Sequence, residues 1–199
     1  MKKLALIFLL GLQVCIGDTN LLDTKYKNSD KTYNMIVEIP AGTNEKWEVS
    51  KKTGKIEINL KHGKKRVINF LPYPGNYGFI PQTKLSRVIG GDDDPIDVLL
   101  LSNSFERGSV VKVKIIGGLD FLDRGERDTK LIAVLDKGVL SHINTIEELF
   151  YKHPNILSIV KLWFEGYKGF KKMQFTGYIS KKRAKKLIEE SHSFWKKND

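Results

Sequence analysis

Cysteine is nearly absent, since Cys15 is the only one in 199 residues. A chain cut after Gly17 has none, which rules out an intrachain disulfide and a cysteine-ligated structural zinc. It also leaves no basis for a cysteine nucleophile. Long apolar runs are scarce as well. The longest, Leu4–Leu12, falls short of the roughly 20 residues that a spanning helix needs. It follows Met1-Lys2-Lys3 and precedes Gln13-Val14-Cys15-Ile16-Gly17, the layout of a secretory signal. Residues 1–17 are therefore expected to be a signal peptide and the mature protein to be exported, periplasmic or extracytoplasmic. Leu12-Gln13-Val14-Cys15 loosely resembles a bacterial lipobox, so a lipid anchor at Cys15 is the second reading. An uncleaved, cytoplasmic chain is the third.

Acid is in deficit too: 23 Asp and Glu stand against 34 Lys and Arg, for a formal net charge of +11. That balance suits a polyanionic partner without choosing among nucleic acid, an anionic surface and a small polyanion. Much of the excess falls late, from Lys171 to Lys197, where a surface helix would carry it. Residues 18–31 lack a period and are expected to form an arm or linker. Residues 32–199 show no composition shift and are expected to form one domain.

Within that domain, alternating stretches predict strands at Tyr33–Ile39, Lys46–Ser50, Lys55–Leu60, Arg66–Phe70, Val110–Ile116 and Met173–Ile179. Ile96–Leu101 and Thr129–Leu135 are almost wholly apolar, as strands buried on both faces are. Leu71–Thr83, dense in Pro, Gly and Tyr, is expected to hold little regular structure. Gly117-Gly118 is expected to end a strand and Asp120–Asp128 to be a charged loop. Thr145 and Glu148 look like a capping box opening a short helix. Helical stripes then follow from Asn155 to Tyr167 and, after Ser180, from Ala184 to Trp195. Many short strands with two helices in the C-terminal half predict a small, mainly β barrel (α+β) with helices packed outside it.

Gly90–Leu101 reads Gly-Gly-Asp-Asp-Asp-Pro-Ile-Asp-Val-Leu-Leu-Leu. Asp92, Asp94 and Asp97 repel one another, and a fold that keeps them together calls for a hard divalent cation with oxygen ligands. A calcium EF-hand is excluded, because Asp97 stands where its loop needs glycine. Asp123 and Asp128 form a second acidic pair. Against these carboxylates stand Lys46, Arg66, Tyr73, Tyr77, Lys130, Tyr167 and Lys168, residue types that bind phosphate oxygens. Each has an ordinary structural explanation when taken singly. Glu38 is either at a barrel rim or paired, and Glu48 could simply pair with Lys46.

Taken together, the order of these pieces resembles the soluble family I inorganic pyrophosphatases over Tyr33–Lys172. The matching segments are Val37–Gly42, Lys46–Glu48, Tyr73–Pro81, Asp92–Val98, Asp123–Lys130 and Phe164–Lys168. The resemblance implies a five-stranded OB-type β-barrel that hydrolyses pyrophosphate to two phosphates with several Mg2+ ions per active site. It implies Asp92, Asp97, Asp123, Asp128 and Glu38 as metal groups and Asp94 as the base that takes a proton from water. Lys46, Arg66, Tyr77, Lys130, Tyr167 and Lys168 would bind the phosphoryl groups, with Glu48 and Tyr73 in support. Lys65 is the other candidate for the place given to Arg66, and Asp93 stands where glycine is common. The family also implies a homo-oligomer, with neither nucleic acid nor, apart from a Cys15 anchor, membrane as partner. The alternative function is an OB-type nucleic-acid-binding module without catalysis, whose basic groove would need stacking aromatics rather than aspartates.

Overall fold

The computed structural model describes residues 20–198. The expected signal segment, Cys15 and Asp18 lie outside the described residues. The chain runs through β1 (Tyr33–Ile39), β2 (Trp47–Val49), β3 (Ile56–Ile58), β4 (Leu60–Lys61), β5 (Lys64–Lys65), β6 (Asn76–Ile80), β7 (Ile96–Leu100), β8 (Val110–Asp123) and β9 (Glu126–Leu135). It then forms α1 (Ile146–Lys152), α2 (Pro154–Gly166), β10 (Met173–Ser180) and α3 (Lys181–Asn198). The order β1-β6-β7-β9-β8 closes into a five-strand ring because the start of β8 pairs back with β1. β10 adds to the far half of β8. β7 and β9 run parallel and the other ring pairs antiparallel.

Both faces of the ring are covered. Ile39, Tyr77, Leu99, Phe121 and Ile132 pack with Leu157, Val160, Trp163 and Phe164 of α2. Met35, Val37, Val98, Leu100 and Ala133 pack with Ala184, Leu187 and Ile188 of α3. On β7 the alternation divides cleanly, with Ile96, Val98 and Leu100 toward α3 and Leu99 toward α2. This is why its run reads as continuously apolar. The two expected helices are α2 and α3, while the capping box opens the additional short helix α1. There Thr145 Oγ1 accepts from the Glu148 N–H at 3.1 Å, and the Glu148 carboxylate accepts from the Asn144 N–H. No helix among the described residues is long and apolar enough to cross a membrane.

Four expectations fail locally. Leu71–Thr83 contains β6, a strand in the middle of the ring. Pro74 and Pro81 lie just outside it, and Gly78 permits its closest approach to β1, since a Cβ there would sit 1.8 Å from the Ile36 carbonyl oxygen. Gly117-Gly118 does not end a strand. β8 continues through both residues with a bulge between Ile115 and Gly117, and a Cβ on Gly117 would meet the Ile179 carbonyl at 2.7 Å. The expected loop Asp120–Asp128 is mostly ladder, turned by Arg124 and Gly125 alone at φ 53° and 94°, the geometry of a type I′ hairpin. Arg66–Phe70, in contrast, is not a strand. Its ladder contact is a single bridge between Val67 and Glu45.

A second bulge points directly to the site. Val37 pairs with Gly78 and Ile39 with Tyr77, so Glu38 is the extra residue on β1. A bulge re-aims the side chain it carries, and here that side chain is a buried carboxylate. Gly78 is the residue against which this kinked stretch rests. Gly78→Ala is therefore expected to cost about 3 kcal/mol or more, at the severe end for inserted core volume. Chemical denaturation of the two proteins measures the difference.

Candidate active site

One end of the barrel opens into a cleft of about 400 Å³. Alternation on three strands delivers side chains to it. Asp97 shares a face with Leu99 on β7, Asp128 and Lys130 share one on β9, and the bulge sends Glu38 in from β1. The β2–β3 hairpin supplies Lys46 and Glu48, the last residue of β8 is Asp123, and the turn after α2 supplies Tyr167 and Lys168. Apart from Tyr73, every residue expected at the site lines this cleft. Tyr73 is 2% exposed and sits behind it, with its ring 5.2 Å from Tyr77 and 4.3 Å from Trp163. Arg66 lines the cleft, whereas Lys65 is exposed on β5.

Charge alternates across the cleft at contact distance. Lys130, with only 4% of its side chain exposed, lies between Asp97 and Asp128, 2.5 Å from Asp128 Oδ1. Its ammonium also donates to the Tyr77 hydroxyl at 3.0 Å. Lys168 donates to Asp123 Oδ2 at 2.6 Å and lies 3.9 Å from Asp128 Oδ2. Lys46 pairs with Glu48 at 3.2 Å and stands over the Tyr77 ring at 5.0 Å. Glu38 Oε1 accepts the Val49 N–H at 2.7 Å.

Burial and these neighbours oppose each other in setting the proton affinities. Burial raises the Glu38 carboxyl to about 8, although Lys46 and the Val49 N–H pull it down. Burial pushes Asp128 up as well, but Lys130, then Lys168 and Lys46, more than offset that, and it titrates below the usual carboxylate range. Desolvation alone would lower Lys130, yet Asp128 and Asp97 hold it well above an ordinary lysine. Tyr77 is raised well above a free phenol by burial and then by Asp97 and Asp128. It stays a neutral hydrogen-bond donor. Asp94 is raised by desolvation against the pull of Lys51.

The aspartate loop divides its residues. Asp92 Oδ1 accepts the Asp94 N–H at 3.0 Å, and Leu85 anchors the loop through backbone bonds to Asp93 and Asp94, each 2.8 Å. Asp94 faces the cleft and forms an ion pair with Lys51. Asp93, at φ 63°, points elsewhere. Its Oδ1 accepts from the Arg87 backbone N–H and its Oδ2 faces Arg87 Nε, both at 3.3 Å. Its charge is thus answered outside the cleft.

Sequence reasoning missed Lys51 and Arg127, which also line the cleft. Arg127 is held by Asp120 at 2.8 Å. Nothing in Lys51-Lys52-Thr53-Gly54 marks which lysine of that turn faces inward. Alternation from Lys130 back to Asp128 places Arg127 on the opposite face of β9, so period alone would have set it aside.

The donor set fits hard divalent cations, because all its acidic groups are carboxylate oxygens. Asp123 Oδ1 adds a direct observation, being buried with no hydrogen-bond partner. An orphaned buried acceptor of this kind calls for a cation or water. Among the described residues no three acidic side chains are gathered into a ready-made cage, since lysines stand between them.

Residues 35–196 match the family model described as "Inorganic pyrophosphatase". The Drosophila melanogaster protein named inorganic pyrophosphatase is 38% identical over 192 residues, covering 85% of this chain and 57% of that protein. The solved inorganic pyrophosphatase of Schistosoma japonicum superposes with a TM-score of 0.80 at 33% identity, covering 86% of this chain and 68% of that one. A truncated Trypanosoma cruzi vacuolar soluble pyrophosphatase, solved in complex with PPi, gives 0.79 at 30% identity, covering 83% and 69%. The chain spans between 45% and 62% of the length of the first curated relatives it matches. With the model matched along nearly the whole described chain and the barrel shared, this protein belongs to the inorganic pyrophosphatase family.

Proposed function

We propose that this chain hydrolyses inorganic pyrophosphate to two phosphates with magnesium bound at the cleft. The observation that carries the reading is the buried Lys130 between Asp97 and Asp128 beneath the Tyr77 hydroxyl. It sets a cation and a phenol among carboxylates in one site, the mixture that a metal–polyanion complex calls for. A relative solved with PPi supports the same substrate.

Asp92, Asp97, Asp123, Asp128 and Glu38 would hold magnesium, whose chemistry is to lower the pKa of water and draw charge from phosphoryl oxygens. The chain's own groups do the rest. Lys46, Arg66, Lys130 and Lys168 neutralise substrate oxygens, and Tyr77 and Tyr167 donate hydrogen bonds without adding charge. Tyr73 backs the Tyr77 ring, and Glu48 steadies Lys46. Water oxygen forms the new bond to phosphorus as the bridging P–O bond breaks. Asp94 takes the water proton, a role to which its raised proton affinity is suited. Charge building on the departing phosphate is met by the lysines and arginine, where stabilisation accelerates the reaction most.

Phosphate release from pyrophosphate is expected to require magnesium and to stop with a chelator; a folded, magnesium-loaded sample with no turnover would sink the reading. Asp94→Asn is expected to lower kcat by about a hundredfold or more, the scale of general base catalysis. Near wild-type rates in that variant would move the base elsewhere. We also infer export from residues 1–17, with Asp18 as the mature N-terminus. Mass spectrometry of the protein from its native source checks this, and an intact Met1 refutes it.

A further inference from the structure

The β2–β3 hairpin, which carries Lys46 and Glu48, is a two-stranded sheet of its own, outside the barrel ladder. Backbone bonds tie it to the segment that follows, as the Lys46 N–H does to the Arg66 carbonyl at 2.9 Å, and side-chain ties join it to β1. One is the Val49 N–H to the Glu38 carboxylate at 2.7 Å, a carboxylate also claimed as a metal group. Another lies on the opposite side of the hairpin, away from the cleft. Arg107 Nε donates to the Glu38 backbone carbonyl at 3.1 Å, while its guanidinium lies 3.9 Å from the centre of the Trp47 ring. Glu45 Oε2 accepts from Trp47 Nε1 at 2.9 Å and stands 4.0 Å from Arg107.

The base of this arm is fixed. Gly108 and Ser109 exchange backbone hydrogen bonds with Val37 at 2.8 and 3.0 Å, and the Phe105 N–H is accepted by buried Asn76 at 2.8 Å. Arg107 thus starts from a loop laced to β1, touches the bulge that aims Glu38, and ends on the residue between Lys46 and Glu48. A planar guanidinium can stack and hydrogen-bond at once, whereas an ammonium cannot do both in this geometry.

We infer that Arg107 is a positioning residue: its stack on Trp47 and its bond to the Glu38 carbonyl hold the Lys46–Glu48 wall at substrate distance. Because that tie uses the carbonyl of Glu38, it persists when the carboxylate is engaged elsewhere. The catalytic side of this inference rests on the pyrophosphate reading, but the mechanical side does not.

The test uses the full chain with Arg107→Met, Arg107→Lys, Trp47→Leu and the double variant Arg107→Met/Trp47→Leu. Amide hydrogen exchange at residues 46–49 reads the hairpin, and magnesium-supported pyrophosphate hydrolysis reads the site. Arg107→Met is expected to speed exchange there and raise KM about tenfold, equivalent to about 1.4 kcal/mol, with kcat within about twofold. Trp47→Leu should match it, the double variant should be no worse than either, and Arg107→Lys should restore little. Unchanged exchange, or additive effects in the double variant, overturns the clamp. Faster exchange with an unchanged KM overturns its part in the reaction. If the unsubstituted protein does not turn over pyrophosphate, the functional reading fails while exchange still decides the clamp.

Discussion

The arrangement of the cleft depends on one buried cation. Lys130 is almost wholly removed from water and is the common partner of Asp97, Asp128 and Tyr77. An unpaired ammonium in that position would be driven to lose its proton. Equally, Asp97 and Asp128 without it would be two carboxylates facing each other. Removing one member of such a buried pair leaves the other uncompensated, at a cost of about 3–5 kcal/mol. A hydrophobic filling of the same volume often stabilises a fold as well or better, so stability alone does not account for these charges.

The backbone devices around the cleft serve that arrangement. A bulge turns Glu38 inward, and the bulged strand can lie against β6 only because Gly78 has no side chain. The long strand β8 bends at Gly117 and Gly118, which lets it close the ring with β1 at one end and carry β10 at the other. Its far end reaches Asp123, and the tight turn through Arg124 and Gly125 brings Asp128 and Lys130 back on the facing strand. The acidic pair thus lies across one hairpin, not along one loop.

How much of this could be read from the sequence varies with the kind of signal. The bounds of β1 were legible, because Met35 and Val37 recur with a period of two and Pro40 follows, but the bulge at Glu38 was not, and it turns Ile39 toward α2 while Met35 and Val37 face α3. β7 and most of β9 were legible as apolar runs. β6 was not, because its glycine and flanking prolines are what a loop also shows, and the need for Gly78 arises only from the opposing strand. Asp97 and Asp128 could be named by spacing and family order. Their shared partner could not, since the register of β7 against β9 is a long-range pairing that no local window contains. The inward turn of Lys51 and the outward turn of Asp93 were invisible for the same reason: adjacent like residues differ only in the neighbour each meets.

The formal charge of +11 acquires a location in this light. A polyanion approaching the cleft meets Asp92, Asp94, Asp97, Asp123 and Asp128, which would repel it if they acted alone. At physiological ionic strength exposed charges are felt over about 8 Å, and none of the lysines of α3 lines the cleft. The groups that matter at close range are those lining it: Lys46, Lys51, Arg66, Arg127, Lys130 and Lys168. Several already neutralise a carboxylate at contact distance, as Lys51 does Asp94 and Lys168 does Asp123. With Glu38, Glu48 and Glu126 counted as well, the lining has eight acidic and six basic side chains, a small acidic excess that bound cations would reverse. An anion that arrives with its own divalent cation brings the missing charge with it, whereas a bare anion does not. Under the function proposed above, that acidic excess would favour a metal-complexed polyanion over a bare one, without requiring any one residue to recognise the substrate by shape.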